Sequence, residues 1–215
     1  MNVSRLGISA AAVLLSAVSV MAVPAVPKRP VIQVAILLDT SSSMDGLIDQ
    51  ARTQLWRVVN ELATAKKQGA SPDLQVALYE YGNDGLSAEK GYVRKVLPLT
   101  NDLDRVSEEL FALKTNGGEE YCGKVIAEAV KGLDWSISNH DLKIIFIAGN
   151  EAFTQGSVDF RDSCKTAITR GIVVNTIFCG DQQSGIDTHW KDGADLADGR
   201  FTSIDQNYRV AEVVA

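Results

Sequence analysis

Two patterns of apolar and polar residues alternate along the chain. Continuous or every-second-residue apolar runs are typical of strands, whereas apolar residues three and four positions apart are typical of helices. The first pattern predicts strands at 31–38, 74–81, 92–99, 142–148, 172–179 and 200–204. The second predicts helices at 47–67, 102–113, 121–135, 158–170 and 187–197.

The order of these elements predicts the fold class. Strands alternate with helices, and the segments 31–38 and 142–148 are apolar at nearly every position, as in strands buried on both faces. We therefore expect an α/β domain with a doubly wound, mainly parallel sheet and helices on both faces. Arg94, Lys95 and Pro98 mark the segment 92–99 as an edge strand, which we expect to be antiparallel.

The amino-terminal segment predicts export. Arg5 precedes a long apolar stretch that ends in the small-residue pattern 20–22, which suits a signal peptidase. We assign residues 1–22 to a signal peptide, 23–30 to a proline-rich linker and 31–215 to a single domain. The mature protein is then expected to be periplasmic or secreted and free of the membrane, with an uncleaved membrane anchor as the alternative.

Charge limits the classes of partner. The chain carries 27 acidic and 21 basic side chains, a formal net charge of −6, and its lysines and arginines form no cluster. An acidic surface of this kind argues against nucleic acid and against anionic lipid as partners. An unidentified protein is the expected partner.

The three cysteines Cys122, Cys164 and Cys179 predict one disulfide and one remaining thiol, because exported proteins commonly form disulfides. Their spacing does not decide which two pair, and it matches no zinc pattern. The histidines His140 and His189 are distant from them in sequence and are expected at the surface.

Oxygen-bearing side chains follow the first predicted strand directly. In an extended turn, alternate residues face the same way, so Asp39, Ser41 and Ser43 can converge on one point. A carboxylate with two hydroxyls suits a hard cation, Mg²⁺ with Mn²⁺ or Ca²⁺ as alternatives. The competing interpretation is a serine-rich turn that caps the helix at 47–67.

The segment 36–44, Ile-Leu-Leu-Asp-Thr-Ser-Ser-Ser-Met, resembles the first metal motif of von Willebrand factor A (vWA) domains, the metal-ion-dependent adhesion site or MIDAS. The order of strands, helices and loops resembles this family over the whole mature chain. The resemblance implies Mg²⁺ or Mn²⁺ held by Asp39, Ser41 and Ser43, with one coordination position open to an acidic group on a protein partner.

Two other loops depart from the family pattern. The glycines 117–118 are followed by Glu119 and Glu120, where the family has a threonine, and the loop at Asn150 and Glu151 lacks the usual aspartate. We predict Glu119 as a fourth metal ligand, with Glu120, Asn150 and Glu151 as alternatives. The two glutamates are also what a helix amino terminus favours. Added carboxylates would neutralise the cation and reduce its attraction for a partner's carboxylate.

These residues predict an exported vWA-like protein that binds a divalent cation and mediates protein–protein interaction. One alternative is a structural scaffold whose metal site is degenerate or closed by its own side chains. The other is a metal-dependent hydrolase in which Glu119, Glu120 or Glu151 acts as general base. Enzymatic activity is not expected, because a serine nucleophile would lack both a histidine partner and a Gly-x-Ser-x-Gly turn.

Overall fold

The computed structural model describes residues 29–66 and 71–204. The predicted signal peptide, most of the linker, the end of the first predicted helix at Lys67 and a helix start expected at 208–215 lie outside these ranges. The elements in chain order are β1 (Val31–Asp39), α1 (Ile48–Thr64), β2 (Asp73–Tyr81), β3 (Val93–Thr100), α2 (Leu103–Ala112), α3 (Cys122–Gly132), β4 (Leu142–Gly149), α4 (Phe160–Thr169), β5 (Ile172–Phe178), α5 (Gln182–Asp187), α6 (Trp190–Asp195) and β6 (Phe201–Ser203).

The six described strands form one sheet in the order β3-β2-β1-β4-β5-β6. Every neighbouring pair is parallel except β2 and β3, which are antiparallel. The predicted fold class is confirmed, including the antiparallel edge strand. After β1 the chain builds one side of the sheet and then returns through β4 on the other side, so the strand order reverses between β1 and β4.

Helices cover both faces of the sheet, and β1 shows why. Val34, Ile36 and Leu38 point into the core under α1 and α2, while Ala35 and Leu37 point into the core under α3, α4 and α6. All five side chains are fully buried. A strand covered on both faces needs apolar residues at successive positions, which accounts for the uninterrupted run in the sequence.

The predicted helix at 187–197 is wrong in its boundaries. The chain forms α5 and then α6, separated by Thr188 and His189, and the φ of 71° at His189 lies in the left-handed region. A residue in that conformation ends the helical hydrogen-bond pattern. Asp181 is the N-cap of α5, and its carboxylate accepts a hydrogen bond from the Ser184 amide at 2.9 Å.

The predicted disulfide is absent from the structure, in which Cys122, Cys164 and Cys179 are buried free thiols. Cys122 and Cys164 lie in the core under α3 and α4, whereas Cys179 lies in the core on the opposite face. The sheet therefore separates Cys179 from the other two. All three side chains behave as small apolar core residues.

Among the described residues, no helix combines the length and apolar character that crossing a bilayer requires.

Candidate metal centre

The candidate centre lies at the carboxyl ends of β1 and β4, where the strand order reverses. Leu38 on β1 is in register with Ala148 on β4, so the loops that leave these strands start side by side. Open α/β sheets bind ligands in such a crevice. The loop after β1 begins with Asp39 and continues into a single 3-10 turn, Ser42–Met44.

Asp39 is the most buried carboxylate of the centre, with none of its surface exposed. Its Oδ1 accepts a hydrogen bond from the Ser41 amide at 2.8 Å. Its Oδ2 is also buried and has no hydrogen-bond partner among the described residues. A buried carboxylate oxygen without a partner is costly for the fold, unless a cation or a proton compensates it.

The two predicted serine ligands lie next to each other. Ser41 Oγ and Ser43 Oγ are 2.9 Å apart, and Ser41 is buried whereas Ser43 is exposed. Thr40, between the aspartate and the serines, faces away, because its hydroxyl donates to the carbonyl of Tyr81 at 3.2 Å. Asp39, Ser41 and Ser43 therefore share one side of the loop, although Ser42–Met44 form a 3-10 turn and not the extended chain from which this was predicted.

Of the two glutamates in the second loop, Glu120 faces inward. Its side chain is buried, while Glu119 is exposed to solvent. The Glu120 amide donates to the side-chain oxygen of Gln155 at 2.8 Å, which fixes the backbone where it turns into α3. The structure thus places Glu120, an alternative in the sequence prediction, beside Asp39, and leaves Glu119, the predicted ligand, exposed.

Three hydrogen bonds fasten the second loop to the first. The Gly117 amide donates to Ser42 Oγ at 2.6 Å, and the Asn116 amide donates to the carbonyl of Thr40 at 3.0 Å. The Thr115 hydroxyl donates to the carboxylate of Asp45. Ser42 and Thr115 are therefore occupied in joining the loops.

The third loop contacts the first through Asn150. Ser43 Oγ donates to Asn150 Oδ1 at 2.8 Å, and Asn150 Nδ2 donates back to the Ser43 carbonyl at 2.9 Å. Glu151 is half-buried, and its carbonyl accepts a hydrogen bond from the indole of Trp190 at 2.7 Å. The backbone at Glu151 is thereby anchored to α6.

Two glycines leave the space that the Asp39 carboxylate fills. A Cβ on Gly82 would lie 2.8 Å from Asp39 Oδ1 and 3.0 Å from Glu120 Cγ. A Cβ on Gly149 would lie 2.5 Å from the Tyr81 hydroxyl oxygen and 2.9 Å from Asp39 Oδ2. Gly82 and Gly149 thus hold Asp39 between them, and any larger residue would displace the carboxylate.

Burial and mutual repulsion raise the pKa values of the carboxylates at the centre. Burial raises the pKa of Asp39 to about 7; the hydrogen bond from the Ser41 amide opposes the shift, and the charges of Glu120 and Glu151 add to it. Burial, with the nearby charge of Glu151, also raises the pKa of Glu120 above its ordinary value. Neighbouring carboxylates whose charges repel one another form a site suited to a positive charge.

The donors fit a hard divalent cation. Asp39 offers an unpartnered carboxylate oxygen, Ser41 and Ser43 offer hydroxyls beside it, and Glu120 supplies a second carboxylate. Within the described ranges, no group of three or more histidine, cysteine, aspartate or glutamate side chains is arranged to hold a metal ion. The candidate set therefore depends on serine oxygens as well as on carboxylates.

The family model of the von Willebrand factor type A domain matches residues 33–189. The chain belongs to this family. The matched range begins in β1, ends at the residue before α6 and includes all three loops of the candidate centre. Domains of this family typically mediate protein–protein interaction. No curated protein sequence matches this vWA chain significantly.

Solved structures share the vWA fold at low sequence identity. The conserved hypothetical protein BatB from Bacteroides thetaiotaomicron is 16% identical with a TM-score of 0.62, the match covering 81% of this chain and 90% of that one. The SpRpn10 VWA domain is 15% identical with a TM-score of 0.60, covering 81% and 88%. A proximal thread matrix protein from the mussel byssus, with a zinc-occupied MIDAS motif, is 12% identical with a TM-score of 0.61, covering 81% and 42%.

Several residues that shape the centre were not predicted from the sequence. Tyr81 appeared only as the end of a strand, although its buried hydroxyl donates to the Ala148 carbonyl at 3.1 Å beside the Asp39 carboxylate. Gly82 and Gly149, which directly follow the predicted strands at 74–81 and 142–148, were not singled out. A glycine directly after a predicted strand, twice at the same sheet edge, is the signal that could have drawn attention to them.

Proposed function

We propose that this vWA domain binds a divalent cation, Mg²⁺ or alternatively Mn²⁺ or Ca²⁺, through Asp39, Ser41, Ser43 and Glu120. The observation that carries the proposal is the buried Asp39 Oδ2, which has no hydrogen-bond partner in the described part of the chain. The neighbouring hydroxyls and the Glu120 carboxylate complete a set of oxygen donors. When bound, the cation would neutralise the mutually repelling carboxylates and tie the first two loops together.

We propose further that the carboxyl edge of the sheet, where this centre lies, is the surface that binds a protein partner. Family membership supports an interaction role, and the centre lies on loops, which carry binding residues more often than the elements they connect. Ser43, at the outer end of the donor set, is exposed.

We also retain export to the periplasm or the medium as a proposal, on the basis of residues 1–22 alone.

The closed-scaffold alternative is supported by one observation. Both polar atoms of the Asn150 side chain bind Ser43, so the first and third loops are joined without a partner. In that alternative the cation would serve stability only. The hydrolase alternative has no comparable support. Cavities of about 560 and 330 Å³, lined in part by Lys143 and Leu142, lie at the opposite edge of the sheet, and one of about 300 Å³ is lined by Arg161, Asp192, Asp195 and Leu196, none of which belongs to the centre.

Thermal melting tests cation binding. Ligand at about 100 times its Kd stabilises the native state by about 2.7 kcal/mol, or roughly 5–10 °C for a domain of this size. We expect Mg²⁺, Mn²⁺ or Ca²⁺ to raise the Tm of the wild-type protein, and EDTA to reverse the effect. Asp39→Ala should not respond, whereas Asp104→Ala, exposed on α2, should respond fully. Equal responses of the two variants would contradict the assignment.

A further inference from the structure

The carboxyl edge of the sheet carries more negative charge than the chain as a whole. Five segments meet at this edge, residues 39–47, 82–92, 113–121, 149–159 and 179–189. Each of them contains two carboxylates, while the same segments contain only two basic residues, Lys90 and Lys114. Of the ten carboxylates, Asp159 is also paired with Arg161 of α4, at 3.7 Å. The other described residues, within 29–66 and 71–204, carry 15 basic and 15 acidic side chains, so their formal charge is zero. The molecule is therefore strongly polarised toward this edge.

One bound divalent cation does not reverse this field. It would reduce the formal charge of the five segments from −8 to −6, as counted from their residues. Asp39 and Glu120 also supply two carboxylates at the centre itself, which already balance the charge of a divalent ion there. An approaching carboxylate would therefore meet no net positive charge at the centre and repulsion from the surrounding loops.

Two tyrosines beside the centre offer a complementary feature. The rings of Tyr92 and Tyr121 meet edge to face, with centroids 6.0 Å apart and planes at 65°, and both are half-buried. Tyr121 follows Glu119 and Glu120 directly in the chain. An aromatic face next to carboxylates suits an ammonium or guanidinium group, because cation–π attraction and ion pairing then act on the same charge.

We infer that the partner of this edge is a protein segment that presents lysine or arginine side chains, in place of the acidic group that typical sites of this family receive. The inference rests on the proposed interaction function of the same edge. The buried, unpartnered oxygen of Asp39 shows that the acidic cluster already demands a positive charge at its base. The cation would serve as the inner positive charge, and the partner's basic side chains would compensate the outer carboxylates.

Binding of two synthetic peptides to the full chain tests this inference. One peptide carries several lysines and arginines among neutral residues, and the other has glutamate at the same positions. Calorimetric titration should show binding of the basic peptide only, weakened about tenfold or more between about 20 and about 200 mM NaCl. Tighter binding of the acidic peptide in the presence of Mg²⁺ would overturn the inference.

Matched variants separate a specific surface from general attraction. The triple variant Asp84→Asn, Glu89→Gln, Glu119→Gln neutralises exposed carboxylates at this edge, and we expect it to weaken binding about tenfold. The control triple Glu61→Gln, Asp104→Asn, Glu108→Gln removes the same charge from exposed positions on α1 and α2, and should stay within about twofold of wild type. Equal losses in the two triple variants would overturn the inference.

The aromatic pair has its own variant, Tyr121→Leu, which should weaken the basic peptide about threefold without changing the salt dependence. Unchanged affinity in this variant would contradict the role given to the two rings.

Asp39→Ala distinguishes the two proposals. If Asp39→Ala loses the cation response but still binds the basic peptide, Asp39 is needed for the metal and the peptide binds through other residues of this edge. A cation response without preference for the basic peptide would refute the inference and leave the cation proposal standing.

Discussion

Ser43 and Asn150 form a reciprocal pair across the first and third loops. Ser43 Oγ donates to Asn150 Oδ1 at 2.8 Å, and Asn150 Nδ2 donates to the Ser43 carbonyl at 2.9 Å. Because the Ser43 proton is directed to Asn150, Ser41 must be the donor in the 2.9 Å contact between the two serine hydroxyls. The amide of Asn150 therefore sets the direction of both hydroxyls.

The first prediction concerns this pair. Asn150→Ala should weaken cation binding about threefold to tenfold, because the Ser43 hydroxyl loses the acceptor that orients its lone pairs. Asn150→Asp should retain or strengthen binding, since a carboxylate accepts the same proton and adds negative charge. Titration of each variant with Mn²⁺, followed by thermal melting or calorimetry, measures the difference. Stronger binding by Asn150→Ala would instead favour the closed scaffold.

The second prediction separates the two adjacent glutamates. Glu120→Gln should weaken cation binding about tenfold, because it removes a buried carboxylate beside Asp39. Glu119→Gln, one residue earlier and exposed, should change the affinity less than about twofold. The same titration decides between them. If Glu119→Gln had the larger effect, the inward position of Glu120 would not be that of a ligand.

The third prediction concerns pH in the absence of metal. Burial raises the pKa of Asp39 from 3.8 to about 7, so between these values the folded protein binds a proton that the unfolded chain has released. Stability in EDTA should therefore be higher near pH 4 and fall as the pH rises toward 7, as far as Asp39 contributes. Asp39→Asn should remove this part of the slope and raise the Tm above wild type at pH 8. The Tm across this range, compared between the two proteins, is the measurement, and parallel curves would contradict the prediction.

The fourth prediction concerns the space around Asp39. Gly149→Ala should lower the free energy of unfolding by about 1–3 kcal/mol and weaken the cation response, since a Cβ there overlaps Tyr81 and Asp39. Gly132→Ala is the matched control at the end of α3, where the nearest atom is the Tyr79 hydroxyl oxygen at 3.2 Å. We expect the control to bind the cation as wild type does. Urea denaturation and Mn²⁺ titration measure the two effects.

The fifth prediction concerns the cysteines. Burial raises the pKa of Cys164 and of Cys179 to about 12, so very little thiolate forms at neutral pH. A thiol reagent should react slowly with the folded protein at pH 8 and with three thiols after denaturation. Detection of a single thiol in denatured protein that was purified without reductant would restore the disulfide predicted from the cysteine count.

The sequence by itself was sufficient for the architecture. The run from Val31 to Leu38 predicts a strand buried on both faces, and the alternation of such runs with helical patterns predicts a doubly wound sheet. These are local regularities with a fixed period, so they can be read without knowledge of distant residues. The motif Asp39, Ser41 and Ser43 belongs to the same category, because the three residues lie within five positions and share one side of a loop.

Only the tertiary structure decided what surrounds Asp39. Whether Glu119 or Glu120 turns inward depends on Gln155 and on the hydrogen bonds that join the second loop to the first. The pairing of Ser43 with Asn150 spans 107 residues. Likewise, the cysteine count could not show that the sheet lies between Cys179 and the other two thiols. Such contacts are set by the register of β1 with β4 and by the packing of helices on the sheet. Both bring together residues from segments that are distant in the sequence, and the pattern of one segment carries no information about the other.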